Sequence, residues 1–272
     1  MNSRSTGRNR HQAVNDRSPP PAFKGGRILG RGDVTRGYTL RLAECQTDLH
    51  AAQMLRFLVF NLELNEGLEQ SYATCRDADP FDEVCDHLLV EDNHSGEVVG
   101  TYRLQTGAQA AAHRGYYSAG EFDFAPYEPV RHEMIELGRA CVHSQHRNLA
   151  VLGLLWKGIA SYAREHGGRY LIGCSSLTSQ DPRVGATMFR EFQKRRLIRP
   201  ELQTQPLPAC ACPLMETLPQ PPKVPKLLTA YLSLGAKIAG PPAIDREFKT
   251  IDFLTILDLQ SLPVNIIARY LS

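Results

Sequence analysis

At 272 residues, 42% of them hydrophobic and 22% charged, the chain can bury a core without disulfide or metal staples. A formal net charge of +2 excludes polyanion binding by bulk charge, and no nucleic-acid partner is expected. No run of about 18 apolar residues occurs, so no spanning helix is expected, and the polar, basic start has no apolar signal segment.

Residues 1–36 are rich in Arg, Ser, Asn, Pro and Gly and are expected to form a flexible basic tail. It is either an extension without a role or a weak attractor for an anionic surface. Thr39 to Glu44 alternates and predicts a first strand. Thr47 or Asp48 is positioned to cap a helix whose apolar face would carry Leu49, Met54, Leu55, Leu58 and Val59. Residues 64–84 follow as an irregular, mobile loop. Residues 87–105 read as two strands joined by a turn around Asn93 to Gly96, and 106–130 as a covering loop with a short helix.

Met134 to His143 is an apolar run that predicts a strand, followed by a polar turn and a periodic helix over 149–166 with Val151, Leu154, Leu155, Ile159 and Tyr162 on its core face. Gly167 and Gly168 lead to a buried strand at Tyr170 to Cys174. Asp181 before Pro182 predicts a capped helix start. That helix carries Phe189 and Phe192 and ends in KRRLIR. Prolines dominate 203–225. Lys226 to Ile238 predicts a short amphipathic helix, lying on the sheet or on a membrane surface, and Phe248 to Leu259 a late strand. The order is that of an α/β protein with a mixed sheet and helices on its faces.

Seven cysteines, at 45, 75, 85, 141, 174, 210 and 212, form no framework and are expected to be reduced thiols in a cytoplasmic protein. Cys210 and Cys212 lack a second ligand pair, so no metal site is expected there.

The chemistry concentrates between Glu133 and Asp181. Glu136 and Arg139 are charges in an apolar strand, where burial is costly unless they are paired or used. Strict alternation would point them to opposite faces. Gly138 between them suggests a bulge that brings both to one side and frees a backbone N–H. Such an N–H polarises a thioester carbonyl, while a glutamate removes a proton from an attacking amine. The alternative is a Glu–Arg ion pair that stabilises a covered strand. The helix mouth after His143 offers N–H groups to an anion.

The segments LRFLVF (55–60), FDEVCDHLLVED (81–92), GTYRL (100–104), ELGRACVHSQHRN (136–148), YLIGCSSL (170–177) and LLTAYLSLGAKIAGPPAIDREFKTIDFLTILDL (227–259) resemble, in this order, the ornithine-lipid N-acyltransferases. That family belongs to the N-acetyltransferase (GNAT) superfamily and is related to acyl-homoserine-lactone synthases. The resemblance covers about residue 38 to 270. It implies a GNAT-like acyltransferase core over 37–205 and a C-terminal extension, 206–272, with a Pro-rich connection, an amphipathic helix and a strand that completes the domain. It implies no bound cofactor, a 3-hydroxy fatty acyl thioester of acyl carrier protein as co-substrate, and the α-amino group of an amino acid, typically ornithine, as acceptor. The product is a lyso-lipid, so contact with the inner face of the membrane is expected.

By motif, Glu136 is the implied general base and Arg139 the implied holder of the acceptor carboxylate. Arg56, Asp82, Asp86 and Arg103 match the charged cluster that shapes the acceptor pocket, with Asp82 or Asp86 available to a second ammonium. The donor arm is expected along Ala140, Cys141 and Val142 and at the helix mouth, Arg147, Asn148, Ala150 and Val151. Acetyl-CoA enzymes of the superfamily usually carry glycines in that mouth. Here it reads Arg147-Asn148-Leu149-Ala150, which favours a pantetheine arm delivered by a protein. Lys194, Arg195 and Arg196, with Arg199, are either a dock for an acidic carrier or a solvated helix end. Two alternatives remain: synthesis of another N-acyl amino acid or of a lactone, and a non-catalytic acyl-carrier or lipid-binding module.

Overall fold

The computed structural model describes residues 33–262; the tail up to position 32 and the last ten residues lie outside the described part. The strands are β1 (Asp33–Thr35), β2 (Tyr38–Leu42), β3 (Asp86–Asp92), β4 (Val98–Thr106), β5 (Met134–Val142), β6 (Tyr170–Leu177), β7 (Lys237–Ile238), β8 (Ala243–Asp245) and β9 (Thr250–Asp258). The helices are α1 (Gln46–Arg56), α2 (Gly107–Ala112), α3 (Leu149–Glu165), α4 (Pro182–Lys194) and α5 (Lys226–Leu234). One mixed sheet orders the strands β1-β2-β3-β4-β5-β6-β9-β7, with β8 also paired to β9. All neighbours are antiparallel except β5 and β6. β1 begins inside the segment that composition assigns to the tail.

Alternation along the strands divides the sheet into two faces. Leu40, Leu88, Leu104 and Ile135 meet Val151, Leu154, Leu155 and Ile159 of α3, and the periodicity of that helix matches its buried side. Phe253 and Leu177 continue this layer against Phe189 and Phe192 of α4 and Leu228 of α5. On the opposite face, Leu55 and Val59 pack on Cys141. The segment after α2 lays Tyr116, Phe122, Phe124 and Tyr127 over Met134, Ile172 and Leu254.

The structure departs from the sequence-based expectations at several elements. Neither Thr47 nor Asp48 caps α1: the cap position is Cys45, without a side-chain bond. Asp48 instead accepts the Glu44 N–H at 2.8 Å and pairs with Arg41. Met54 and Leu58 are 52% and 42% exposed, because the buried stripe runs through Leu49, Ala52, Leu55 and Val59. From Phe57 to Glu63 the helix widens into π-helical geometry. The loop over 64–84 carries a 3₁₀ turn at Glu69–Ala73 and is anchored by buried Asp77 and Asp82. α5 stops at Leu234, where Gly235 takes a left-handed φ of 104°. Leu228 and Tyr231 of α5 pack on the sheet, one of the two placements expected for that helix.

Candidate active site

β5 and β6 pair only through Met134–Glu136 and Tyr170–Ile172. Beyond that they part. A Cβ at Gly173 would stand 2.2 Å from the Leu137 carbonyl oxygen, so glycine permits the close approach just where the strands separate. A cavity of about 250 Å³ opens at the fork, walled by Leu137, Gly138, Arg139 and Ala140 on one edge and by Cys174, Ser175 and Ser176 on the other. A smaller apolar hollow lies next to it, against Leu137, Trp156, Leu171, Tyr231 and Leu257.

The expected bulge is present, but glycine does not make it. Thr101 faces Cys141 and Arg103 faces Gly138, so Arg139 and Ala140 together oppose Tyr102. Arg139 itself takes the left-handed φ of 52°. Such a residue stores about 1–3 kcal/mol of strain that surrounding contacts must offset. Both Glu136 and Arg139 consequently border the cavity.

Glu136 is buried, with carboxylate oxygens accepting the N–H groups of Tyr117 and Ser118 at 2.8 Å each and the Gln105 amide at 3.3 Å. Burial raises its pKa, and these donors oppose the rise without cancelling it. The result is a fixed, partly desolvated carboxylate on the cavity wall, suited to take a proton from an ammonium.

Arg139 is not free. It contacts Asp79 at 3.2 Å and Asp77 at 3.7 Å, and its guanidinium lies 4.1 Å from the centre of the Phe248 ring. Arg103 binds both Asp79 oxygens at 2.7 Å and Asp82 at 2.9 Å. Arg56, fully buried, holds Asp82 through two nitrogens at 3.0 and 2.6 Å, contacts Asp77 at 2.9 Å and donates to the Asp77 carbonyl. Three arginines are thus matched by three aspartates. Asp82 sits far below the usual carboxylate range despite its burial, because of Arg56 and Arg103. His87, buried beside Asp82, is pushed down to about 4 by burial and stays neutral. Arg56, Arg103 and Arg139, on three separate elements, converge as the resemblance implied, whereas their partners Asp77 and Asp79 come from the loop read as mobile. The signal was there in the acid-rich stretch Asp77 to Asp82, but nothing local says which arginine each acid meets.

Two of the implied acceptor residues are placed elsewhere. Asp82 is consumed by Arg56 and Arg103. Asp86 accepts from Tyr162 Oη at 2.6 Å and Gln109 at 2.9 Å. Neither borders the cavity, so neither is available to a second ammonium.

The donor-arm residues also divide. Ala140 lines the fork. Cys141 faces the other way, its thiol 3.6 Å from the Leu55 carbonyl. Val151 is buried against the sheet. Asn148 caps α3 itself, its side-chain oxygen accepting the Ala150 and Val151 N–H groups at 3.0 Å each. Two of the amides expected to meet an anion are therefore already satisfied. Arg147 pairs with Glu63 at 2.5 and 2.7 Å and donates to the Val142 carbonyl, so its charge at the mouth is balanced. The parted edge of β5, and not the helix mouth, is the open backbone at this site. Lys194, Arg195 and Arg196 are exposed at the end of α4, but Arg199 lies over Tyr170 beside Asp258 and is not part of that surface.

No role was assigned from sequence to the opposite wall, although its acids Asp245 and Asp252 lie in the 227–259 segment that carries the resemblance. Asp245 and Asp252 line the cavity, with Cys174 between the strands and Glu121 buried behind.

Comparison with known proteins accounts for this framework. A family model for the Acetyltransferase (GNAT) domain matches residues 55–157. An L-ornithine N(alpha)-acyltransferase of Brucella abortus is 33% identical over 89% of this chain and 91% of its own length. One from Agrobacterium fabrum is 33% identical over 85% of this chain and 84% of its own. The chain belongs to the L-ornithine N(alpha)-acyltransferase family. It is an acyltransferase, and the GNAT fold carries it. The solved structure of FeeM, an N-acyl amino acid synthase from uncultured soil microbes, shares that fold with a TM-score of 0.50 at 12% identity, over 82% of this chain and 92% of that one. In this member of the L-ornithine N(alpha)-acyltransferase family, the fork between β5 and β6 brings a buried glutamate, an unpaired strand edge and an apolar hollow into one place.

Proposed function

We propose that this acyltransferase moves a 3-hydroxy fatty acyl group from acyl carrier protein to the α-amino group of ornithine, as the first acylation of a lyso-ornithine lipid. The observation that carries the reading is Glu136, buried on the cavity wall beside the parted edge of β5 and held by two backbone N–H donors. The thioester carbonyl would lie against that edge, where a free strand N–H polarises it. Glu136 takes the proton that the α-ammonium must lose before attack, directly or through a water. The amine nitrogen then bonds to the carbonyl carbon, the carbon–sulfur bond breaks, and the further proton shed by that nitrogen passes to the departing sulfur, which leaves as the carrier's thiol. The acyl chain would pass the fork into the hollow by Trp156 and Tyr231. Arg139 borders the cavity and, although it contacts Asp79 and Asp77, keeps guanidinium donors unbonded, Nε among them, for the acceptor carboxylate.

A carrier-delivered arm, rather than a nucleotide cofactor, fits a helix mouth where two of the amides and the arginine are already engaged. Lys194, Arg195 and Arg196 are an exposed basic cluster suited to an acidic carrier. No helix among the described residues is long and apolar enough to cross a membrane. Exposed Met54, Leu58 and Leu62, four residues apart, supply an apolar stripe for peripheral contact with the bilayer that receives the product.

Purified protein supplied with 3-hydroxyacyl carrier protein is expected to release free carrier thiol when ornithine is added. Glu136→Gln should lower kcat by about 10²–10⁴-fold with little change in donor binding. Thiol release with no amino acid of a full panel would refute the reading, and undiminished turnover in the variant would remove Glu136 as the base.

A further inference from the structure

Around the cavity, charge is compensated on one side only. Asp77, Asp79 and Asp82 each meet a guanidinium. On the opposite wall, Asp252 of β9 and Asp245 of β8 border the same cavity, and Glu121 lies behind them beside Cys174, its oxygen 3.9 Å from the thiol. The ligand-capable atoms of Glu121, Cys174 and Asp252 all fall within 4.8 Å of one another. Glu121 and Asp252 are only 7% and 4% exposed. Glu121 Oε2 and Asp252 Oδ1 accept from no N–H group; the two carboxyls bond each other, with Glu121 the protonated donor, and the Ser176 and Thr250 hydroxyls lie beside Asp252. Among the described residues, no arginine, lysine or histidine pairs with either acid.

Buried carboxyl groups without a counter-ion are costly unless a shared proton or a cation balances them, and at the wall of a substrate cavity a cationic group of the substrate is placed to do so. Burial and mutual repulsion push Glu121 up to about 9 and Asp252 up to about 6. Near neutral pH the pair therefore retains one proton and one negative charge, and a single positive group would balance it. Ser118 and Cys174 lie between this pair and Glu136: the Ser118 N–H binds Glu136, and both residues line the cavity. An amino acid lying across them can turn its α-amine to Glu136 and its far end to Asp252.

We propose that Asp252, backed by Glu121 and flanked by Asp245, receives the side-chain ammonium of the acceptor and selects a diamino acid over a neutral one of equal length. This rests on the reading of the chain as an ornithine N-acyltransferase. It replaces Asp82 and Asp86, which the fold directs elsewhere.

The test compares ornithine with norleucine, in which a methyl stands where ornithine has its distal ammonium, using the full chain and an acyl carrier protein thioester. The unaltered protein should prefer ornithine. Asp252→Asn should lower kcat/KM for ornithine about 10- to 100-fold, chiefly through KM, while changing norleucine far less. Glu121→Gln should shift the preference in the same direction, and it serves alone if Asp252→Asn fails to fold. An unaltered preference in the folded variants, or an equal loss on both acceptors, overturns the proposal. So does zinc or manganese that binds the unaltered protein in calorimetry, is lost in Asp252→Asn, and leaves acceptor preference unmoved. If no amino acid is acylated at all, the function fails instead. Calorimetry with ornithine and norleucine alone then decides the subsite: tighter binding of ornithine, lost in Asp252→Asn, supports it, and equal binding overturns it.

Discussion

Arg56 illustrates how far a single residue can be read. The sequence marks it as a charge on an apolar helix, and the structure buries it completely between Asp77 and Asp82. Removing one partner of such a pair leaves an uncompensated charge in a low dielectric, which costs more than the pair itself contributes. Asp82→Asn should therefore destabilise the protein by about 3–5 kcal/mol, read as a lower urea midpoint. A change below about 1 kcal/mol would mean that Arg56 and Arg103 are held adequately by Asp77 and Asp79 alone. Glu136 differs in kind. Its donors are backbone N–H groups of the covering segment, so it is positioned without a counter-ion and keeps a raised pKa. The same contrast separates Asp82 from Asp252: one acid is neutralised for structure, the other left uncompensated at the cavity.

At the scale of elements, the β5–turn–α3–β6 unit was legible because its periods are clean: an apolar run, a polar turn and a 3.6-residue stripe. Its chemistry was less so. The spacing Glu136, Gly138, Arg139 suggested a bulge, and one is present, yet the left-handed residue is Arg139, held by Asp79 and the Phe248 ring. A local pattern cannot foresee that, because the partners lie 60 and 109 residues away in the chain. The helix mouth gives the matching case. Asn148 could bind a ligand or cap its own helix, and it caps. Asn148→Ala should lower stability by about 1 kcal/mol, seen as a small fall in Tm. If it instead abolishes donor binding with Tm unchanged, the mouth is a ligand site after all.

For the molecule as a whole, the two kinds of acid set opposite limbs of a pH profile. Glu121 and Asp252 hold protons in the folded state above the pH at which the unfolded chain has released them. The native state then binds more protons, so their contribution to stability falls as pH rises from about 4.5 towards 9. Asp79 and Asp82 are held below their ordinary values, so the stability they add is present above that range and is lost on acidification. Glu121→Gln is expected to flatten the alkaline decline of Tm while leaving the acid limb in place. An unchanged alkaline limb would show that Glu121 ionises normally in the fold.

The sequence by itself determined the order of the main elements but not the short strands β1, β7 and β8, and it determined the apolar faces of α3 and α4 and the family, because these depend on local period and on motifs read in line. Tertiary structure decided which charges meet. A nine-stranded sheet inserts β9 beside β6 and thereby carries Asp252 to a cavity whose buried glutamate, Glu136, comes from β5. Whether a buried carboxylate is neutralised, used as a base or left open to a cation depends on neighbours that the fold, and not the chain order, brings within a few ångströms.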